Sequence, residues 1–284
     1  MDPKHFLEAK QKVEHAVSHV DSLFSDVDAY RKQAPWVICQ RVIEPERAAV
    51  IMARETQPCP TAISLKAGDV VHCGRCALDY MIYGMSRLDM ADSKRKGLQF
   101  PICETQQAFE TIKSKNRHMN GLVDSEVNLI EKAQPYHNPL GCKSDPLWWL
   151  QQLSNGDKHH SLRIAAVCAQ LSSVQATGVL GTNIVEGSVI EWAAGTTPDF
   201  GDETAFEKTG NGVLGHEDTQ IGTIRIGQRT RARFNLKFDV DVGFANDHPE
   251  VAGKSVMLTL KAILDRVWEV VHVLASSGNL TATT

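Results

Sequence analysis

Two short stretches gather most of the residues in this chain that could do chemistry. Gly68 to Met85 carries His72, Arg75 and Asp79 at intervals of three and four residues. Asn155 to His160 adds Asn155, Asp157, Lys158 and His159. A histidine titrates near neutral pH and suits general acid or base work, Arg and Lys can hold a phosphate, and an Asp can orient the imidazole. Brought together between two helices, these side chains would suit phosphodiester cleavage or nucleotide binding, and each is a candidate catalytic residue. The same residues also fit a structural role. Arg75 and Asp79 stand at i, i+4 and can pair on a helix, while Asn155 and Asp157 can cap a helix junction.

Other constellations are less complete. Cys73 and Cys76 form a C-x-x-C, the spacing of a thioredoxin-type redox pair. That chemistry needs the first Cys at a helix N-terminus, where the dipole lowers the thiol pKa. A helix beginning at Gly68-Asp69 puts Cys73 a turn inside. Zinc needs about four ligands. The C-x-x-C supplies two, and Cys103, Cys142, His137, His159 and His160 lack paired spacing. His72, Asp157 and His159 are the remaining ligand combination, and the expectation is of no metal and no cofactor. Arg225, Arg229, Arg231, Arg233 and Lys237 make a basic row. Arg231, Arg233 and Lys237 are its candidate phosphate contacts, although such a row also serves as a solvated sheet face that discourages edge pairing. The chain has no G-x-x-x-x-G-K-S/T, no G-x-G-x-x-G after a strand, no H-E-x-x-H and no G-x-S-x-G, so the common nucleotide, dinucleotide, metalloprotease and hydrolase signatures are missing.

The elements that must position these residues follow from periodicity. At about 100° per residue, Asp69, His72, Cys76, Asp79 and Tyr83 share one stripe of a helix, with Arg75 at its edge and Val71, Leu78, Ile82 and Met85 opposite. A long amphipathic helix is expected over Lys4 to Lys32, ended by Pro35. Trp36 to Ile43 and Ala48 to Ala53 read as a hairpin, and Ala62 to Leu65 as a short third strand. Thr105 to Ser114 and Asp124 to Ala133 read as helices, the second capped by Asp124 and broken at Gln134-Pro135-Tyr136. Asp145-Pro146 opens a helix with Leu147, Leu150 and Leu153 on its buried side, and that helix would set Asn155 and His159 on one face. From Ile164 the pattern turns to strands: Ile164 to Val174, Val185 to Trp192, Gln220 to Ile226 and Arg231 to Val242. Asp199 to His216 reads as a mobile loop, and Lys254 to Ser276 as a closing amphipathic helix.

The fold class is therefore α+β, with a helical N-terminal part, an antiparallel β-sheet in the C-terminal half and a closing C-terminal helix. No linker-like composition divides the chain. One domain over residues 1–284 is expected, helix-rich over 1–163, sheet-rich over 164–276, with a frayed tail at 277–284.

A hydrophobic share of 42% and a charged share of 23% are those of an ordinary globular chain, so a packed core is expected. A net charge of -4 gives no drive toward nucleic acid or anionic membrane, which leaves nucleic acid a disfavoured partner. Seven cysteines, an odd and irregular set, argue against a closed disulfide framework and for a reducing cytosol. No apolar run reaches the ~18–20 residues that span a bilayer, and Met1 to Lys10 has no signal-peptide core. A cytoplasmic protein without a membrane partner is the expectation.

Four sequence pieces carry a resemblance. Gly68-Asp69, His72, Arg75 and Ala77-Leu78-Asp79 resemble a GD-x-x-H-N-L-R-S-A-L-D-H helix. Phe100-Pro101-Ile102, Gln134-Pro135-Tyr136 and Asn155-x-Asp157-Lys158-His159 follow in the order of FPI, QPY and N-x-D-K-H-R. Over residues 5–165 the chain is similar to a group of uncharacterised bacterial proteins, a resemblance that implies no activity. It departs from the pattern at Cys73 (usually Asn), Gly74 (Leu), Cys76 (Ser) and His160 (Arg). A second resemblance is to HEPN-type ribonucleases, all-helical proteins with an Arg and a His a few residues apart on a helix. Arg266 and His272 have that spacing, on adjoining faces, with Val267 where a polar residue is usual. The expected function is that of a protein binding a small ligand or a protein partner, with a structural polar cluster. The alternative is a metal-independent HEPN-like nuclease, or another phosphate-handling enzyme, using Arg75, Asp79, Asn155 and His159.

Overall fold

The computed structural model describes residues 3–43, 48–87, 89, 93–115, 118–157, 162–180, 183–184, 190–193, 205–225 and 231–277. Ala9, Val13, Ala16, Leu23, Val27 and Tyr30 recur at helical spacing and are all buried. They make the inner side of α1 (Pro3–Lys32). Ala34, at φ 44°, turns the chain out of the helix just before Pro35. The next run pairs as expected: β1 (Trp36–Ile43) and β2 (Ala48–Glu55) are antiparallel, in register from Trp36 opposite Glu55 to Ile43 opposite Ala48.

The following element corrects the sequence reading. Ala62 to Leu65 is not a strand, and Asp69 does not open the next helix. Helix α2 spans Thr61–Met85. Pro60 explains the start, because its fixed φ suits a helix entry and its missing N–H is one that a first turn leaves unsatisfied anyway. Four apolar-leaning residues are too few for periodicity to tell a strand from a helical turn, and Ile63 is fully buried as part of that turn. A 3-10 turn over Ser93–Gly97 and an extended segment lead to α3 (Gln106–Lys115) and α4 (Asp124–Lys132). Asp124 is the first helical residue rather than the cap. The cap is Val123, whose N–H donates to Glu126 Oε2 at 3.0 Å. In α5 (Pro146–Asp157) the expected start holds: Asp145 Oδ1 accepts the Leu147 N–H at 2.8 Å. The closing helix is α6 (Val256–Ser277).

Among the described residues the named strands pair antiparallel with one another. One sheet has the order β1-β2-β7-β6, with β6 (Ala205–Lys208) and β7 (Thr219–Arg225). The other has β4 (Asn183–Ile184), β3 (Ile164–Leu180) and β5 (Ile190–Ala193) in that order, and β8 (Arg231–Phe244) pairs with β3 from Ile164 opposite Phe244 to Val179 opposite Arg231. The alternation expected of β8 is visible over 237–242: Val240 and Val242 are buried while Lys237 and Asp239 are exposed. Strand β6 falls inside the segment expected to be a mobile loop, a correction that follows from its pairing with β7 from Ala205 opposite Arg225. Residues 185–189, part of another expected strand, and the tail from 278 lie outside the described residues.

The chain groups into two compact units that interleave along the sequence. The first takes 1–26, 61–162 and 256–284, and the second takes 27–60 and 163–255. The first unit is helical. Its core is α2 packed with α5 and α6: a Cβ added at Gly74 would face Leu150, Leu264 and Val267 at 3.7 Å, and Val70, Leu78, Met81, Leu260 and Ile263 are buried. The second unit holds all the named strands, with the end of α1. The helix-rich and strand-rich partition thus runs through contacts rather than along the chain: the β1–β2 hairpin belongs with the later strands and α6 with the earlier helices. Among the described residues no helix is long and apolar enough to cross a membrane.

Candidate functional site

The sequence cluster is centred on a pair of side chains that hold a backbone. Residues 98–103 form an extended segment outside any named helix or strand, so the buried peptide groups there need partners from elsewhere. Asp79 Oδ1 accepts the Phe100 N–H at 2.8 Å, and Arg75 Nη2 donates to the Phe100 carbonyl oxygen. Arg75 and Asp79 also pair with each other at 3.1 Å. One turn of α2 therefore presents an acceptor and a donor to both polar groups of one residue, much as a neighbouring strand would. Gln134 continues the arrangement: its Nε2 donates to the Pro101 carbonyl at 2.9 Å, and its Oε1 accepts the Cys103 N–H at 2.9 Å. Phe100 and Ile130 are fully buried beneath it.

The second stretch reaches the same network through a residue the sequence reading passed over. Arg75 Nη1 donates to Gln151 Oε1 at 3.1 Å, and Gln151 Nε2 donates to Asn155 Oδ1 at 3.1 Å. Asp157 approaches α2 at Gly68, where an added Cβ would lie 2.7 Å from its Oδ1. The Gly-Asp, FPI, QPY and Asn-x-Asp pieces are thus joined in space. His72 stands apart from the Arg75–Asp79 pair, exposed, with Nε2 3.4 Å from Cys76 Sγ. Lys158 and His159 lie outside the described residues, as do the side chains of Arg231 and Arg233. Lys237 is exposed.

The remaining candidates can be placed as well. Cys73 and Cys76 sit in the middle of α2, three turns from its start rather than one, and burial pushes both thiols up. Arg266 is committed to its own neighbours, with Nη1 2.7 Å from Glu269 Oε2 and Nη2 donating to the Ala133 carbonyl at 3.1 Å. His272 is exposed and packs edge-on to Trp268 at 4.4 Å between centroids. Among the described residues no three His, Cys, Asp or Glu side chains are grouped as metal ligands.

Beside the Arg75–Asp79 pair lies a cleft that periodicity alone does not single out. It has a volume of about 650 Å³ and lies between α1 and α2, within the helical unit. α1 lines it with His5, Glu8, Gln11, Lys12 and His15, residues on one side of the helix, and α2 with Asp79, Tyr80 and Tyr83. Leu98 completes the wall, and most of the lining is apolar surface. Gly84 lets the two helices approach, since a Cβ there would lie 2.6 Å from the His5 Cβ. Arg95 stacks on the Tyr83 ring at 4.2 Å and donates to the Tyr83 carbonyl at 2.7 Å. A signal for this site was present: polar side chains recur along one line of α1 and two tyrosines stand almost a turn apart in α2. Such a line on a surface helix ordinarily reads as its solvated face.

No known family model matches the chain, and neither a curated protein nor a solved structure matches it.

Proposed function

We propose that this protein binds a small ligand in the cleft between α1 and α2, and that the Arg75–Asp79 cluster is the structural latch that holds the cleft's far wall. The observation that carries this reading is the cleft itself. A concave, largely apolar site with a few convergent polar groups, at about 650 Å³, falls within the ~300–1,000 Å³ usual for ligand sites. The latch supports it from the other side. Arg75 and Asp79 are spent on the Phe100 backbone and on each other, which leaves them poorly placed to bind phosphate or orient a general base. Leu98 of the cleft wall lies two residues before Phe100, so the latch fixes that wall.

The test is a thermal-shift screen of small metabolites against the full chain and against Gln11→Trp, which would fill the cleft from α1, where Gln11 is exposed and lines it. Compounds that raise the Tm of the wild type and leave Gln11→Trp unmoved support the reading. Compounds that stabilise both proteins equally place the ligand elsewhere. In parallel, Asp79→Ala and Arg75→Met are expected to lower stability by about 1–3 kcal/mol each, because each leaves a buried peptide group without its partner. Unchanged stability with loss of an RNA-cleavage or nucleotide-turnover signal would instead favour the phosphate-handling enzyme.

A further inference from the structure

We propose that the ligand of the α1–α2 cleft is a small organic monocarboxylate with an apolar, preferably aromatic, body. The inference rests on the ligand-binding reading above and adds the ligand's chemistry. It starts from which charges in the cleft are already satisfied. Glu8 is paired with His5 at 2.8 Å and lies 3.8 Å from Lys4. Asp79 is paired with Arg75 and with the Phe100 N–H. Lys12 is different. It is half-buried in the same cleft, yet forms no ion pair or hydrogen bond among the described residues. The Tyr80 and Tyr83 hydroxyls likewise form no hydrogen bond there. The groups left for a ligand are therefore an ammonium, two phenols and the Gln11 amide, and all four can donate.

Donors call for an acceptor, and the ammonium calls for a negative one. The tyrosine rings and Leu98 supply the wall against which an apolar body would be buried. A carboxylate suits this set better than a phosphate. A phosphate dianion is ordinarily met by arginine forks or by a helix N-terminus, whereas the cleft offers one lysine. The neighbouring carboxylates of Glu8 and Asp79 also repel a second negative charge more than a first. A cationic ligand would have to displace His5 or Arg75 from those carboxylates while facing Lys12.

The test is calorimetric titration of the full chain with three probes that share a phenyl body: phenylacetate, phenyl phosphate and phenethylamine. Phenylacetate is expected to bind most tightly. Lys12→Met, which keeps the aliphatic stem, is expected to weaken it at least tenfold with an unchanged Tm. Tyr80→Phe, which removes only a hydroxyl, provides a second variant and is expected to weaken it severalfold. If phenethylamine or phenyl phosphate binds more tightly, and that binding is lost in Gln11→Trp, the cleft reading stands and the carboxylate proposal fails. If phenylacetate binds equally well to wild type and Lys12→Met, the proposal fails as well. If no probe binds, the proposed ligand class fails; if binding survives in Gln11→Trp, the cleft reading falls with it.

Discussion

Arg75 and Asp79 hold each other and the peptide group of Phe100. Their spacing was legible in the sequence, and so was their pairing, because an i, i+4 contact is local. Their partner was not legible: the peptide group of Phe100 lies more than twenty positions away, and a backbone carries no residue identity to read. Glu55 makes the same point in the strand unit. It is buried and accepts the Ala166 N–H, with Tyr30 and His216 beside it. Burial, opposed by that N–H and by His216, lifts its carboxyl above the ordinary 4.5. A carboxyl raised on folding binds its proton more tightly in the native state, so its contribution to stability is fully present below pH ~4.5 and is lost as pH rises through the raised pKa. Glu55→Gln keeps an oxygen for the Ala166 N–H but cannot ionise. The stability of wild type relative to Glu55→Gln is therefore expected to fall as pH rises from 4 to 8 in denaturant titrations. A difference that stays constant across that range would mean Glu55 is not the titrating group.

Helix α2 packs with α5 and α6 and approaches α1, and its glycines set how closely its neighbours come. The sequence showed the helix but misplaced its start by two turns, since Ala62 to Leu65 is too short a run to show a period of its own. It also left the roles of Gly74 and Gly84 open, because a glycine's use depends on what faces it. Gly84 faces the His5 Cβ at 2.6 Å, on a helix where little can give way, whereas Gly74 faces Leu150, Leu264 and Val267 at 3.7 Å, an ordinary contact. The same substitution should thus act with opposite sign at the two sites. Gly84→Ala is expected to destabilise by about 1–3 kcal/mol through overpacking and to weaken any ligand of the cleft, since His5 lines it. Gly74→Ala gains helix propensity and fits its space, so it is expected to stabilise by up to ~1 kcal/mol. Thermal melts of the two single variants decide the matter, and a loss at Gly74 would show that the α2–α5–α6 junction has less room than the 3.7 Å contacts indicate.

For the whole molecule, the α+β class was readable because it depends on periods within each segment: 3.6 along α1 and α6, two along β8. The grouping of those segments was not. The β1–β2 hairpin lies a hundred residues before β3 in the chain, yet shares a unit with it, and α6 returns to α2 after the entire strand region. No linker-like composition marks these crossings: one falls inside α1, and the others lie between one named element and the next. The division predicts how the protein opens. Leu264 is buried on α6 against Gly74 of α2, and Leu264→Ala is expected to cost about 2–5 kcal/mol. If the two units are separate cooperative groups, native-state hydrogen exchange of this variant should show lost protection at amides of α2, α5 and α6, with the β3–β8 ladder keeping wild-type protection. Equal loss in both sets would show instead that the units unfold as one, and that the interleaved chain couples them as tightly as a single core would.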